Sequence, residues 1–344
     1  MQTLADRLLD WFAQAGRDLP WRRPPRTAYR VLVAELMLQQ TRAEVVAQRF
    51  EAFLDRFPDF AALARVPPAD VLRAWEGLGY YRRAEALWRT AQAVRDTGGL
   101  PEAREELLRL PGIGPYSASA VRSFAFSLPD PPLDANLRRV ALRLAADPAA
   151  PGSAAGDRTA RSLLSSLLLA GPPPQLCDAL MDLAATICVA AQPRCDACPL
   201  RGQCAAWALG RPETFGRATP RPPRRALQVV AMRIESEAGL LWRPREAKGL
   251  LAGLWEPPHV LSAQAPREAE VLAEIAAWGV EAWRDTGERW PMRHAFTHQV
   301  WTGEVRRLWA EAAPPAEPAR WLDAAAMADI ALPSAFRAVL RNGG

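Results

Sequence analysis

The sequence predicts two domains of different class, an all-helical one followed by an α+β one. Three observations point there. Up to about residue 205, apolar residues recur at three- and four-residue spacing, the period of an amphipathic helix. Residues 211–225, RPETFGRATPRPPRR, hold five arginines, one glutamate and almost no apolar residue, the composition of a semi-extended linker. Beyond it, ALQVVAMRIES and QVWTGEVRRLW look like strands, whereas PREAEVLAEIAAWG returns to the helical period. With 344 residues, 49% of them hydrophobic, the chain is long enough for two cores. The expected domains are therefore 1–210 and 226–344, joined by a linker at 211–225.

In chain order, MQTLADRLLDWFAQAGRDLPW carries charges throughout and reads as an amphipathic helix, not a signal peptide. No run approaches the roughly 18 apolar residues of a membrane span, so the expected location is the cytoplasm. AEVVAQRFEAFLDRF, ADVLRAWEGL, EAREELLRL and LRRVALRLAA follow as helices, punctuated by Pro and Gly in VPPAD, TGGLPE and LPGIGP. A bundle of short helices is the expectation. The formal charge is +5, from 43 basic and 38 acidic residues, a bias that suits a polyanionic partner. Lys248 is the single lysine, a skew that reflects codon usage and discounts arginine abundance as evidence. It also leaves residues 1–247 without a side-chain amine able to form a Schiff base.

Four groups of residues carry chemistry. Glu35, in YRVLVAELMLQQT, has apolar neighbours all round its helix, so its carboxyl is expected to be buried. Burial raises a carboxylic pKa and suits a general acid; the alternative is an ion pair with Arg30. LPGIGPYSASAV has glycines at Gly112 and Gly114, both able to take positive φ in a tight turn, and Pro115 for the first turn of a helix. Exposed N–H groups at Gly112, Ile113 and Gly114 make a phosphate site, and a plain helix connector is the alternative. Asp134, after a proline-rich loop, reads as a helix N-cap, compatible with a catalytic role. Cys188, Cys195, Cys198 and Cys204 lie at C-x6-C-x2-C-x5-C within 17 residues, the donor set of an iron–sulfur cluster or of zinc. Cys177, outside this spacing, reads as ordinary core.

ELMLQQT, LGYYRRA, LPGIGPYSASA, LDANLRRV and the cysteine spacing, in this order, resemble the helix–hairpin–helix DNA glycosylases with an iron–sulfur cluster. Within that superfamily they look most like the MutY-type A/G-specific adenine DNA glycosylases. The resemblance runs from about residue 4 to 204 and returns at KGLLAGLWEPP and HAFTH. It implies a helical glycosylase domain with a [4Fe–4S] loop at 188–204, then a Nudix-like lesion-recognition domain. Where endonuclease III-type relatives carry a lysine after the hairpin, this chain has Tyr116, which implies a monofunctional enzyme that cuts no strand.

The resemblance also implies roles. Glu35 is the acid that protonates adenine N7. Asp134 stabilises the sugar cation. Tyr116 and Asn136 position sugar, acid and water. Arg17, Leu19, Trp21, Arg22 and Asp178 line the base pocket, although the family varies where Asp178 stands. Gln40 and Tyr80 wedge into the duplex, and Thr41 and Leu78 contact the lesion strand. Phe296, Thr297 and His298 sense 8-oxoguanine, Thr297 standing where relatives often have Ser. The run REAEVLAEIAAWG lacks the tandem glutamates of a Nudix hydrolase, which implies recognition without hydrolysis. The partner is double-stranded DNA with adenine opposite 8-oxoguanine or guanine, bound by a monomer on the nucleoid. Two rival readings are a related glycosylase acting on oxidised pyrimidines or T:G pairs, and a non-catalytic DNA-binding iron–sulfur protein. Arg194 and Arg201, in the cysteine loop, are candidate backbone contacts.

Overall fold

The computed structural model describes residues 3–217, 223–246, 248–330 and 332–341. Residues 218–222 of the expected linker lie outside them. The chain divides into two compact units, Met1–Val66 with Arg82–Pro220, and Pro67–Tyr81 with Arg221–Gly344. No helix among the described residues is long and apolar enough to cross a membrane.

The helices run α1 Leu4–Ala15, α2 Ala28–Leu38, α3 Ala43–Ala47, α4 Phe50–Arg56, α5 Phe60–Arg65, α6 Pro68–Ala74, α7 Arg82–Val94, α8 Arg104–Leu107, α9 Pro115–Phe124, α10 Ala135–Leu144, α11 Ala154–Leu169, α12 Pro173–Thr186 and α13 Ala205–Ala208. Their starts follow capping chemistry. Thr3 and Asp6 form a capping box, while Thr27, Asp59, Asp134 and Ser153 each accept a first-turn N–H. All but α6 belong to the first unit, which is helical in its regular structure. AEVVAQRFEAFLDRF is broken between α3 and α4, and EAREELLRL yields only the single turn of α8. In the hairpin between α8 and α9, Gly112 has φ +74, and an added Cβ would lie 2.3 Å from Ala86 Cβ. The second glycine corrects the sequence expectation. Gly114 is an extended N-cap with φ −90, and an added Cβ there meets nothing.

The segment expected to be a linker is partly packed. Phe215 is buried, and Arg143 Nε donates to its carbonyl at 3.2 Å. The second unit then forms β1 Arg225–Ser236, β2 Gly239–Pro244, β3 Trp255–Glu256, β4 His259–Ser262, α14 Glu268–Ala277, β5 Trp283–Ala295, β6 Gln299–Ala310, β7 Arg320–Leu322 and α15 Ala324–Asp329. The sheet has the order β3-β2-β1-β6-β5, with β4 on β1 and β7 on β2. The central pair β1 and β6 is parallel, and β5 and β6 form a hairpin with residues 296–298 at its tip. Alternation along β1 splits the core between the two faces of the sheet. Val230, Met232 and Ile234 pack with Val271, Ile275 and Trp278 around α14, and Val229 and Ala231 pack with Trp242, Trp301 and Phe336.

Candidate active site

The sequence places one carboxyl inside an apolar helix, and the fold buries it. Val31 to Met37 of α2 are all buried, Glu35 among them at 7% exposed. Arg30 does not neutralise it, since that guanidinium pairs with Glu51 at 3.2 Å. Burial pushes the Glu35 carboxyl up to about 7. A hydrogen bond with Tyr116 opposes the rise, the charges of Asp178 and Asp134 add to it, and Arg26 opposes it. A carboxyl in this state holds a proton near neutral pH and releases it readily.

Tyr116 stands in the first turn of α9, beyond the hairpin. Burial raises its phenol well above the usual value, so it remains a neutral partner for Glu35. Asp134 is held by α10. It accepts from the N–H groups of Asn136 at 2.9 Å and Leu137 at 2.7 Å, and from Asn136 Nδ2 at 2.8 Å. The cap and the candidate catalytic carboxylate are one group, held by three donors. Asn136 Oδ1 accepts in turn from Arg139 Nη1 at 3.0 Å, and Arg139 Nε donates to the Cys188 carbonyl at 2.9 Å. A continuous line of hydrogen bonds therefore joins Asp134 to the cysteine loop.

Of the five residues expected at the base pocket, four line one cleft of about 730 Å³ in the first unit. They are Arg17, Leu19, Arg22 and Asp178. Trp21 is buried edge-on to Phe50 instead, ring centroids 6.0 Å apart. The polar floor is an ion-pair network. Arg17 Nε and Arg22 Nη2 both donate to Asp182 Oδ1 at 2.8 Å. Asp178 receives Arg22 Nε at 3.1 Å and Arg26 Nη1 at 2.7 Å. Burial still pushes Asp178 up, against the pull of Arg26 and Arg22. Arg26 and Asp182 escaped the sequence reading, since their ion pairs join segments more than 150 residues apart. Cys177 is core, as its place outside the cysteine spacing implied. Its thiol lies within electrostatic reach of Glu35, Asp178 and Arg26.

Gln40 and Thr41 follow the C-terminus of α2 in the first unit. Arg83, missed in the motif LGYYRRA, organises them from α7. Its Nη1 donates to the carbonyls of Leu36 at 2.6 Å and Met37 at 2.8 Å and to Gln39 O, and Nη2 reaches Thr41 Oγ1 at 3.1 Å. Leu78, Tyr80, Phe296, Thr297 and His298 all belong to the second unit. Leu78 is buried, whereas Tyr80 is 46% exposed. The Tyr80 and Thr297 hydroxyls are 2.8 Å apart, and Phe296 packs edge-on to Trp301 at 4.7 Å. Gln40 and Tyr80 share a feature that sequence could not reveal. Both have left-handed backbone, φ 59 and 48, which costs a non-glycine residue about 1 kcal/mol or more and is common at functional positions.

Cys188, Cys195, Cys198 and Cys204 line one small cavity with Leu144, Leu183, Ile187, Pro193 and Trp207. None is in a disulfide. Among the described residues, no group of three or more His, Cys, Asp or Glu side chains is arranged to hold a single metal ion. Burial raises the Cys198 thiol to about 11 and the Cys195 thiol above its usual value, with the neighbouring cysteines adding to both. Soft sulfur donors in apolar walls, costly as thiolates without a compensating cation, fit a polynuclear metal group. Arg143, buried in α10, donates to Val189 O at 2.6 Å and Ala190 O at 2.8 Å and lies 3.4 Å from Cys188 Sγ. Arg194 donates to Thr186 O, and Arg201 pairs with Asp196 at 3.4 Å.

Residues 33–165 match the HhH-GPD superfamily of base excision DNA repair proteins, and residues 229–342 match the NUDIX domain. An adenine DNA glycosylase of Mycolicibacterium smegmatis is 43% identical over 198 residues, 56% of this chain and 66% of the relative. That is just under two thirds of its length. The adenine DNA glycosylase of Homo sapiens is 30% identical, covering 97% of this chain and 72% of the relative. Among solved structures, a thermostable thymine-DNA glycosylase aligns with 60% of this chain and 95% of its own, at 27% identity and a TM-score of 0.52.

Proposed function

The chain belongs to the adenine DNA glycosylase family, and on that premise we propose that it hydrolyses adenine from duplex DNA in base excision repair, where adenine is mispaired with 8-oxoguanine or guanine. The observation that carries the reading is Glu35, a buried acid held near pH 7 between Tyr116 and the charges of Asp178, Asp134 and Arg26.

The adenine leaves the stack first. Arg17, Leu19, Arg22 and Asp178 receive it, with Trp21 behind them. As the bond from N9 to C1′ breaks, its electron pair passes to the base and Glu35 delivers a proton to N7, so a neutral base departs. The deoxyribose is left electron-poor, and Asp134 faces it as a fixed negative charge. Water adds to C1′ and its proton returns to Glu35. Tyr116 orients Glu35, and Asn136 orients Asp134. With no lysine before residue 248, the sugar is not attacked by a side-chain amine and the strand remains uncut.

Gln40, Thr41, Leu78 and Tyr80 contact the duplex around the lesion, and Phe296, Thr297 and His298 read the oxidised base. Gly112, Ile113 and Gly114 meet a backbone phosphate. Cys188, Cys195, Cys198 and Cys204 would hold a [4Fe–4S] cluster. Such a cluster would fold the loop by bonding all four thiolates, and base hydrolysis would draw on no electron from it. The protein acts as a monomer on the nucleoid.

The test is a duplex bearing adenine opposite 8-oxoguanine, scored for an alkali-labile abasic site. The native chain yields the site and Glu35→Gln does not. Release from oxidised-pyrimidine or T:G duplexes instead would transfer the assignment to another member of the superfamily. Binding without any release would leave a DNA-binding protein.

A further inference from the structure

We propose that Asp130 is a positioning residue whose carboxylate ties the loop between α9 and α10 to three helices and so sets where Asp134 stands relative to Glu35. The inference rests on the function proposed above.

Asp130 lies four residues before Asp134, in SLPDPPLD. Its side chain is 13% exposed and collects four donors. Arg104 Nη1 of α8 reaches Oδ2 at 2.7 Å, and Arg122 Nε of α9 reaches it at 2.9 Å. Ser119 Oγ of α9 donates to Oδ1 at 2.9 Å, and Arg161 Nη1 of α11 approaches it at 3.3 Å. The backbone is tied as well. Ser123 Oγ lies within hydrogen-bonding distance of both the Leu128 carbonyl, at 3.1 Å, and the Asp130 carbonyl, and the Leu128 N–H donates to Arg122 O at 2.9 Å. Pro131 and Pro132 restrict the residues between, so little slack separates this anchor from Asp134.

Two consequences follow. Ser119 stands one turn beyond Tyr116 on α9, so the anchor joins the helix that presents the partner of Glu35 to the loop that presents Asp134. Beyond the loop, Arg138 clasps Asp157 at 2.7 and 2.9 Å and fixes α10 on α11. Asp130 is also the carboxylate common to three guanidiniums. An exposed ion pair contributes little, but here three cations converge on one mostly buried anion. Removing its charge leaves Arg104, Arg122 and Arg161 repelling one another, which drives the loop apart.

The experiment uses the full chain with Asp130→Asn and, as a milder change, Ser119→Ala. Single-turnover base release, affinity for a duplex with an uncleavable adenine analogue, thermal stability and the rate–pH profile are measured together. Asp130→Asn slows release roughly tenfold or more, since small misplacements of a reacting group cost that much, and leaves duplex affinity unchanged. Its alkaline limb moves to lower pH. Tyr116 on α9, Asp178 and Cys177 on α12, Arg26 before α2 and Asp134 before α10 surround Glu35, and a displaced Asp134 no longer helps to raise it. Ser119→Ala shows the same changes to a smaller degree. A wild-type rate and pH limb in Asp130→Asn overturns the inference, as does a rate loss that only follows loss of folded protein with the limb unmoved. A native chain that releases no adenine overturns the parent assignment and this one with it.

Discussion

A single proton on Glu35 links stability to activity. The carboxyl titrates near 7 in the folded chain, against 4.5 for its ordinary value. The folded state therefore binds this proton more tightly than the unfolded state. The resulting stability is complete below pH 4.5 and is lost as pH rises through 7. The loss is on the order of 3 kcal/mol, from the conversion of pKa shift to free energy. Glu35→Gln cannot ionise, so it is expected to be inactive and yet more stable than the native chain at pH 8, with most of the advantage gone at pH 5. Thermal unfolding at the two pH values checks this; equal losses in both proteins would remove Glu35 as the buried acid. At this scale the sequence was informative wherever one polar residue interrupts an apolar surface. It was silent on Asp182 and Arg26, because ion pairs between residues about 160 apart leave no local pattern.

The ends of elements, more than their middles, carry the candidate site. Asp134 caps α10, Tyr116 opens α9, and Gln40 and Thr41 leave α2 where Arg83 gathers its last carbonyls. Arg83→Met keeps an unbranched apolar stem, removes the guanidinium and strands those acceptors. An expected cost of about 2–4 kcal/mol follows from leaving several buried groups unpaired, read from urea unfolding. A loss under 1 kcal/mol would mean that water replaces the guanidinium. Helical periodicity identified these elements but overestimated two of them. The pattern in AEVVAQRFEAFLDRF runs through the break between α3 and α4 without a proline or glycine to mark it. The N-cap at Gly114 and the left-handed turns at Gln40 and Tyr80 depend on how neighbouring helices are held, which periodicity does not encode.

At the level of the whole molecule, composition makes one chemical forecast. Residues 1–247 have no lysine, so borohydride added during turnover should trap no covalent protein–DNA adduct on denaturing gels. An adduct would require an amine from Lys248 or the N-terminus and would overturn the monofunctional assignment. The division into units was only partly legible. The change from helical to strand period near residue 225 was plain, but residues 67–81 cluster with the strands far along the chain. As a result Tyr80 and Thr297, 217 positions apart, meet within one unit.

By itself, the sequence determined the class of each domain, the isolated acid of α2, the cap at Asp134 and the four-thiol loop. These are local facts, written in periods, spacings and residue types that physical chemistry reads a few positions at a time. Tertiary structure alone decided which charges surround Glu35, which arginines bind Asp130 and Asp182, and how Asn136 and Arg139 join Asp134 to the cysteines. Electrostatic energies depend on distance in space and on exclusion of water, and neither exists until distant segments have packed.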